Sequence, residues 1–326
     1  MESTNQVLVV TSNRNMKRIV MRSLVSAGFN VVVCRPHPEE IEQGLRAHPD
    51  MCIVDAGEQR EEIQWLIDLL YSKHKDVIAL LASEDHDSNL VRESLTTKNL
   101  NNLIAKHGGV SAMSERIDES ELVVTCQKLL KHDIFGLEKY LTTWGIQINE
   151  LEITGTDSKP LILNELEDFL DRLDCYKPVK HSVLLVADEL VMNAIFNAPL
   201  DADGRPRYAT LDRSKDLELE PHEHAVLHYA CDGRHIALAV KDPFGSLDRE
   251  VLVRYLQNYF EGGPAAVEEK EAGAGLGLYM VINSITQLTF NIHSGIATEV
   301  IAMFYVHGGS LAFQSSGRSL NLFYIS

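Results

Sequence analysis

The chain has 326 residues, of which 45% are hydrophobic, and its formal net charge is −17. This length suits two domains, and the acidic excess would repel phosphate backbones, which argues against direct binding to nucleic acid. The sequence has no apolar run of the roughly 18 residues that a membrane span needs, no signal peptide and no clustered cysteines, so we expect a cytoplasmic protein with reduced thiols.

In the first half of the chain, short apolar runs alternate with amphipathic segments. The runs predict β-strands at 6–12, 30–34, 51–56, 77–83 and 102–106, and the other segments predict helices at 15–27, 38–47 and 119–131. Apolar strands that alternate with helices indicate a parallel sheet covered on both faces. We therefore predict an α/β domain over residues 1–117 with a flavodoxin-like, five-stranded parallel sheet.

Two residues at strand ends suggest what this domain is. Asp55 ends the third predicted strand and Lys106 ends the fifth. In these features the domain resembles a response-regulator receiver, in which such an aspartate accepts a phosphoryl group and such a lysine contacts that group.

The acidic pair that holds Mg²⁺ after the first strand of a receiver is missing. Thr11, Ser12 and Asn13 stand there instead. Because phosphoryl transfer depends on a metal to neutralise charge, we interpret the domain as a degenerate receiver. Asp55 is then either a weak phosphoacceptor with Lys106, or the two residues form an ion pair without chemistry.

Residues 118–145 are predicted to connect the two halves. Leucines and aromatic residues at helical spacing in 126–144 indicate a connecting or dimerising helix. His132 precedes Asp133, as a phosphoacceptor histidine precedes an acid in histidine kinases. No arginine or proline follows in the usual pattern, so a solvated histidine at the end of a helix is the simpler interpretation.

The second half is organised around the segment VLLVADELVMNAIFN, residues 183–197. Its apolar residues recur at spacings of three and four, which predicts a helix with one face in a core. Glu189, Asn193 and Asn197 follow one another at intervals of four and lie on a neighbouring stripe of the same helix. Pro199 ends the helix, since proline cannot continue its hydrogen-bond ladder.

Two further motifs follow in chain order. KDPFGS, residues 241–246, comes directly after the apolar run HIALAV, and GAGLGL, residues 273–278, opens an apolar helix. Other strands are predicted at 146–153, 225–230, 235–242, 288–293, 298–306 and 319–325, and a helix at 160–173. The polar segment 201–221 is predicted to be a loop or a partly disordered insertion, and 262–272 to be flexible and charged. These elements indicate a mixed sheet with helices on one side.

The three motifs, in this order and context, resemble the nucleotide site of the GHKL ATPase superfamily. The resemblance assigns residues 146–326 to its Bergerat fold, an α/β sandwich with a mixed sheet, and implies that the domain binds ATP and Mg²⁺. Asn193 would bind the metal, Glu189 would accept a proton, and Asp242 would accept a hydrogen bond from the adenine amino group. The remaining implied nucleotide contacts are Asn197, Gly245, Gly273, Gly275, Leu276, Gly277, Leu278 and Thr298.

The resemblance implies a cytoplasmic signal-transduction protein with a protein partner. It would be an ATP-dependent serine or threonine kinase or a regulator like the anti-sigma factors. One alternative is a module in which ATP sets the shape of a partner-binding surface without phosphoryl transfer, and a histidine kinase ranks third. A homodimer is left open, and neither nucleic acid nor a membrane span is expected.

Overall fold

The computed structural model describes residues 5–56, 65–66, 69–70, 72, 76–81, 101–107, 116–253, 281–282, 284–306 and 318–326. The chain divides into two compact units, unit 1 with Met1–Asp133 and Gln314–Asn321, and unit 2 with Ile134–Phe313 and Leu322–Ser326. Both units combine helices with strands, and parallel and antiparallel pairing both occur, so the predicted α/β class with mixed β-structure is confirmed. Among the helices described, none is both long and apolar enough to cross a membrane.

Five parallel strands form the sheet of unit 1. They are β1 (Gln6–Val10), β2 (Asn30–Cys34), β3 (Met51–Ala56), β4 (Val77–Leu81) and β5 (Asn102–His107), in the order β2-β1-β3-β4-β5. The same unit contains helices α1 (Arg14–Ser26), α2 (Pro38–Leu45) and α3 (Glu119–Lys131), and the short strand β6 (Arg116–Ile117), which pairs antiparallel with β5.

The core of unit 1 lies between its sheet and α1 and α3. Val7 and Ile53 on the strands and Val20 and Leu122 on the helices are completely buried in one cluster. Asn13 fixes the start of α1, because its side-chain oxygen accepts hydrogen bonds from the first free amides of that helix. These strands could be predicted from the sequence because each one is a largely apolar run, as expected for a strand buried on both faces.

The last strand of the chain, β12 (Ser319–Ile325), is divided between the units. Its first residues pair antiparallel with β5, with Leu320 opposite Leu103. Ser319 Oγ and Asn321 Nδ2 both donate to the buried carboxylate of Glu121, each at 2.8 Å. Burial raises the pKa of Glu121 to about 8, although these two hydrogen bonds oppose the shift.

The connecting helix predicted through residues 126–144 is wrong beyond Lys131, where α3 ends, and the segment 118–145 is divided between the units. Helix α3 belongs to unit 1, whereas a 3₁₀ turn at Leu137–Tyr140 belongs to unit 2, where the amide of Gly136 donates to Glu299 Oε2 at 3.0 Å. His132 is the C-cap of α3 with a left-handed backbone, φ 55°. It therefore ends the helix instead of projecting from it.

The sheet of unit 2 contains five antiparallel strands. They are β7 (Asn149–Ile153), β8 (Ala225–Cys231), β9 (His235–Asp242), β10 (Gln287–His293) and β11 (Ala297–Tyr305), in the order β7-β8-β9-β11-β10. The end of β12 joins this unit, where the amide of Ser294 donates to the carbonyl oxygen of Ile325 at 2.9 Å.

Two helices pack together in unit 2, α4 (Ser158–Arg172) and α5 (Lys177–Phe196), and α5 also contacts β9 and β11. Its buried side chains are Val179, Val183, Val186, Ala187, Leu190, Val191, Met192, Ala194, Ile195 and Phe196. The start predicted at Val183 is too late. The helix begins at Lys177 with Pro178 in the first turn, where the missing N–H costs no internal hydrogen bond.

The polar segment 201–221 was predicted to be a loop or partly disordered, and it is an ordered loop. Glu223 is almost completely buried and accepts hydrogen bonds from Arg207 Nη1 at 2.9 Å and Tyr208 Oη at 3.0 Å. At the far end of the loop, the amide of Leu219 donates to the carbonyl oxygen of Thr154 at 2.8 Å. Its charged side chains therefore serve as anchors.

Candidate functional site

Three polar side chains form a hydrogen-bonded row on α5. Asn193 Nδ2 donates to Glu189 Oε1 at 3.1 Å, and Asn197 Nδ2 donates to Asn193 Oδ1 at 2.7 Å. All three residues are partly buried. The interval of four residues produces this row, because side chains one turn apart stack on the same helix face. The row presents one carboxylate and two amides on a rigid element.

Opposing influences act on the pKa of the Glu189 carboxyl group. Burial raises the pKa of its carboxyl group above the usual range, and the neighbouring Asp188 adds to that shift. The positive charge of Arg213 and the hydrogen bond from Asn193 oppose it. A carboxylate with a raised pKa is a better proton acceptor near neutral pH than an ordinary glutamate.

Asp242 is the last residue of β9. The amide of Phe244 donates to its Oδ1 at 2.9 Å, and Thr298 lies directly opposite in the β9–β11 register. Burial raises the pKa of Asp242 to about 6, while the hydrogen bonds from the backbone of Phe244 and Gly245 partly offset that shift. This mostly buried carboxyl group is thus held in one orientation by the loop that follows it.

The conformation and the packing of the backbone explain why residue 245 is a glycine. Its backbone is left-handed, with φ 60°, and an added Cβ would clash with the carbonyl oxygen of His293 and lie 2.9 Å from the amide nitrogen of Gly295. Only glycine therefore lets the loop after β9 pack against the turn between β10 and β11. The close packing alone therefore explains why residue 245 is a glycine, whether or not a ligand binds nearby.

One hydrogen bond joins the loop after β9 to the end of α5. Ser246 Oγ donates to the carbonyl oxygen of Ala198 at 3.0 Å. This hydrogen bond links the loop that follows Asp242 to the residue just after the polar row, within unit 2. This contact was not predictable from the sequence, because a serine after a glycine is common in loops.

The predicted phosphate loop lies outside the described residues. Its members are Gly273, Gly275, Leu276, Gly277 and Leu278. The predicted site residues that the structure describes are Glu189, Asn193, Asn197, Asp242, Gly245 and Thr298. The sequence did not point to Arg213, whose guanidinium carbon lies 6.0 Å from the ring centroid of Phe196 on α5.

In unit 1, Asp55 and Lys106 form an ion pair, and Thr11 Oγ1 donates to Asp55 Oδ2 at 2.6 Å. The side chains of Asp55 and Lys106 are only 4% and 2% exposed. Both carboxylate oxygens of Asp55 are therefore engaged by the protein. Thr11 occupies the place where an acidic metal ligand was expected, and it supplies a hydroxyl donor instead of negative charge.

No protein-family model matches the chain, and a search among curated proteins gives no significant match.

Proposed function

We propose that unit 2 is a GHKL-type ATP-binding domain and that the protein is a signalling ATPase-fold kinase. It would transfer a phosphoryl group from Mg-ATP to a serine or threonine of a protein partner, or regulate such a partner as anti-sigma factors do. The observation that carries the proposal is the row on α5, tied through Ser246 and Ala198 to the loop that holds Asp242.

The chemistry of this row suits Mg-ATP. The amide oxygen of Asn193 and the carboxylate of Glu189 are hard oxygen donors of the kind that Mg²⁺ prefers. The metal, when bound, would neutralise the charge that develops on the phosphates. Asn193 would hold it, and the neighbouring hydrogen bonds from Asn197 and to Glu189 would fix the orientation of the amide.

Glu189 and Asp242 would have separate tasks. Glu189 would accept the proton of the attacking hydroxyl group, a role for which its raised pKa is suited. Asp242 would accept a hydrogen bond from the adenine amino group, and a guanine carbonyl at that place would leave its buried carboxylate unpaired. The site would therefore select ATP over GTP.

The architecture supports this assignment. The strand order β2-β1-β3-β4-β5 in unit 1 is that of flavodoxin-like folds, to which receivers belong. In unit 2, an antiparallel sheet with α4 and α5 is consistent with a Bergerat-type sandwich. We propose that unit 1 is a pseudo-receiver, since Asp55 is buried in an ion pair with Lys106 and Thr11 stands where an acidic metal ligand was expected.

One observation favours a second candidate function. Asn193 Oδ1, the atom that would bind Mg²⁺, already accepts a hydrogen bond from Asn197. If that bond persists with nucleotide, ATP would be held without efficient transfer, and the domain would be a module whose partner-binding surface depends on ATP. We rank this below the kinase because an amide oxygen has a second lone pair for the metal.

Calorimetry on the full chain tests nucleotide binding. We expect Mg-ATP to bind the wild type and Asn193→Ala to weaken binding by about tenfold or more, as loss of a metal ligand does. Asn164→Ala is the matched control, because Asn164 is an exposed asparagine on α4. A folded wild type that releases no heat with Mg-ATP would end the proposal.

Labelling distinguishes the two functions and the histidine kinase. The protein is incubated with γ-labelled ATP and an extract of cells that express it. Acid-stable label on another protein, lost in Glu189→Gln, supports a serine or threonine kinase. Acid-labile label on this chain would support a histidine kinase, and binding without any label would support the ATP-dependent module.

A further inference from the structure

A short segment that follows α3 in the chain lies against the sheet of unit 2. We call residues 134–143 the strap. Its regular structure is the 3₁₀ turn at Leu137–Tyr140, which contacts β9. Ile134, Leu137 and Tyr140 recur at intervals of three residues and are almost completely buried. The strap is therefore a docked part of the protein, although it is not a strand of the sheet.

Two contacts hold the start of the strap on the central strands of unit 2. The amide of Gly136 donates to Glu299 Oε2 on β11 at 3.0 Å. Lys241 Nζ, on β9, lies 4.7 Å from the ring centroid of Phe135, which is a cation–π distance. The start of the strap is thus attached to two neighbouring strands through one carboxylate and one ammonium group.

Two further contacts hold the end of the strap. Tyr140 Oη donates to Thr289 Oγ1 on β10 at 3.4 Å. Thr143 Oγ1 donates to the carbonyl oxygen of Asp232, in the turn between β8 and β9, at 3.3 Å. Together with the contacts at its start, these bonds fix the strap to three adjacent strands and one turn of the same sheet.

Glu299 is the central anchor of the strap. Its carboxylate is only 2% exposed and accepts a hydrogen bond from Asn291 Nδ2 at 2.7 Å as well as the one from Gly136. Asn291 and Lys241 stand opposite Glu299 in the registers of β10 and β9. A buried carboxylate that loses a donor is destabilised, so the strap and this face of the sheet stabilise each other.

The anchors lie next to the residues proposed to bind adenine. Lys241 precedes Asp242 and Glu299 follows Thr298, and each pair stands opposite the other in the β9–β11 register. Successive side chains of a strand point to opposite faces of the sheet. The strap therefore lies on the face away from Asp242 and Thr298, one residue along the same two strands.

The strap can be released while the sheet stays paired. Its contacts with the strands are made by side chains and one amide, whereas β9 and β11 are joined by a ladder of backbone hydrogen bonds. Segments with few such bonds open at a lower free energy than paired strands. The strap also continues directly from α3, which ends at Lys131 in unit 1. A displacement of that helix end is passed to the strap through the chain.

We infer that the strap controls the nucleotide site from the opposite face of the sheet, an inference that rests on the proposed function. Docked on Glu299, the strap holds Asp242 and Thr298 where they bind adenine, and its release lowers the affinity for ATP. Glu299 is then a positioning residue, since its carboxylate touches the strap and the neighbouring strand. The coupling is local, because Thr298 and Glu299 share one stretch of strand backbone and cannot shift independently.

The test compares Gly136→Ala with Gly145→Ala in the full-length chain. Gly136 has φ 113°, and an added Cβ would clash with the carboxylate of Glu138, so alanine strains the strap at its anchor. Gly145 has φ 80° with open space around an added Cβ, so the same substitution strains the backbone beyond the last anchor. We expect Gly136→Ala to speed hydrogen exchange of the strap amides and to weaken ATP binding by about fivefold or more, as expected for coupled sites. Gly145→Ala should bind ATP like the wild type.

Adenosine shows where the strap acts. Because Asp242 and Thr298 are at the base end of the nucleotide, Gly136→Ala should weaken adenosine and ATP by the same factor. Coupling is also reciprocal, so saturating Mg-ATP should slow exchange of the Gly136 amide in the wild type by that factor.

Glu299→Gln releases the strap from the side of the sheet. It keeps an oxygen for Asn291 and turns an NH₂ group toward the amide of Gly136. We expect it to reproduce the faster exchange and the weaker ATP binding of Gly136→Ala. Glu138→Gln is the matched control, because it makes the same change at an exposed acid of the strap.

Each outcome decides between the strap and the site. Faster strap exchange with wild-type ATP affinity in Gly136→Ala would overturn the inference and leave the proposed function intact. Unchanged exchange in both Gly136→Ala and Glu299→Gln would overturn it too, since these anchors would not hold the strap. Weaker ATP binding with unchanged adenosine binding would also overturn it, because the effect would lie away from the base. A wild type that binds no Mg-ATP would refute the proposed function itself.

Discussion

Asn197 Nδ2 lies 2.7 Å from Asn193 Oδ1 and donates a hydrogen bond to it. The second asparagine therefore fixes which way the first one points, since an amide can otherwise turn its nitrogen outward. The carboxylate of Glu189 restrains the other end by accepting from Asn193 Nδ2. An amide held at both ends presents its oxygen in one direction.

The first prediction concerns Asn197. Asn197→Ala removes the donor that orients Asn193 and leaves Asn193 itself in place. We expect Mg²⁺-dependent ATP affinity to fall by about tenfold, the lower end of the range for residues that position a metal ligand. Titrations with Mg²⁺ and with EDTA give the metal-dependent part of the affinity, and Asn164→Ala is again the control. An unchanged difference between the two titrations would show that Asn197 does not orient the ligand.

The second prediction is a pH dependence of stability that arises from Asp242. Its folded pKa is about 6, above the ordinary value of 3.8, so the folded state binds the proton more tightly than the unfolded state. The stabilising contribution is complete below pH 3.8 and is lost as the pH rises through 6. The whole effect amounts to about 3 kcal/mol.

Asp242→Asn imitates the protonated acid at every pH and isolates this contribution. The free energy of unfolding of wild type and variant is measured from pH 4 to pH 8. We expect the variant to become more stable relative to the wild type by up to about 3 kcal/mol, with most of the change between about pH 4 and pH 6. A difference that stays constant with pH would show that Asp242 is not held in a raised-pKa environment.

Sequence patterns were enough to place the elements that consist of an unbroken run of buried apolar residues. The strands β1 to β5 of unit 1 were placed within two residues at each end, because apolar runs bounded by polar residues have few other interpretations. The first turns of α5 were missed. Lys177 to Ser182 carry mostly polar side chains, and Pro178 looks like a break in a sequence although it suits a helix start.

The candidate site was predictable only where it lies on one helix. Glu189, Asn193 and Asn197 fall into a row because of helical geometry alone. Contacts between distant segments have no such local period. The Ser246–Ala198 hydrogen bond joins residues 48 apart in the chain, and the loop that carries Arg213 is linked to Glu223 by a hydrogen bond from Arg207.

The third prediction concerns Asp55. Both of its oxygens are engaged by Lys106 and Thr11, and its side chain is 4% exposed. Acetyl phosphate with Mg²⁺ should therefore leave Asp55 unmodified by mass spectrometry, because a phosphoryl donor would have to displace a buried ion pair. Thr11→Asp restores an acid at the expected metal position, and any labelling it allows would identify Thr11 as the block. Rapid stoichiometric labelling of the wild type that disappears in Asp55→Asn would contradict the pseudo-receiver.

The last prediction separates binding from chemistry with Asp242 and Glu189. Asp242→Ala removes the acceptor for the adenine amine, so ATP affinity should fall by about 1–3 kcal/mol. Glu189→Gln keeps an oxygen for the hydrogen bond from Asn193 and removes only the proton acceptor. It should leave ATP affinity nearly intact and lower turnover by about 10²–10⁴ if Glu189 is a general base.

Cells that carry each variant show which function the separation serves. In a kinase, Glu189→Gln loses the cellular phenotype although ATP still binds, because transfer requires the proton acceptor. In an ATP-dependent binding module, Glu189→Gln keeps the phenotype and Asp242→Ala alone loses it. Asn164→Ala controls for expression and folding in both assays. If Asp242→Ala and Glu189→Gln both bind ATP like the wild type, Asp242 does not contact the base, and the loop at Gly245 serves only the close packing against the turn at His293.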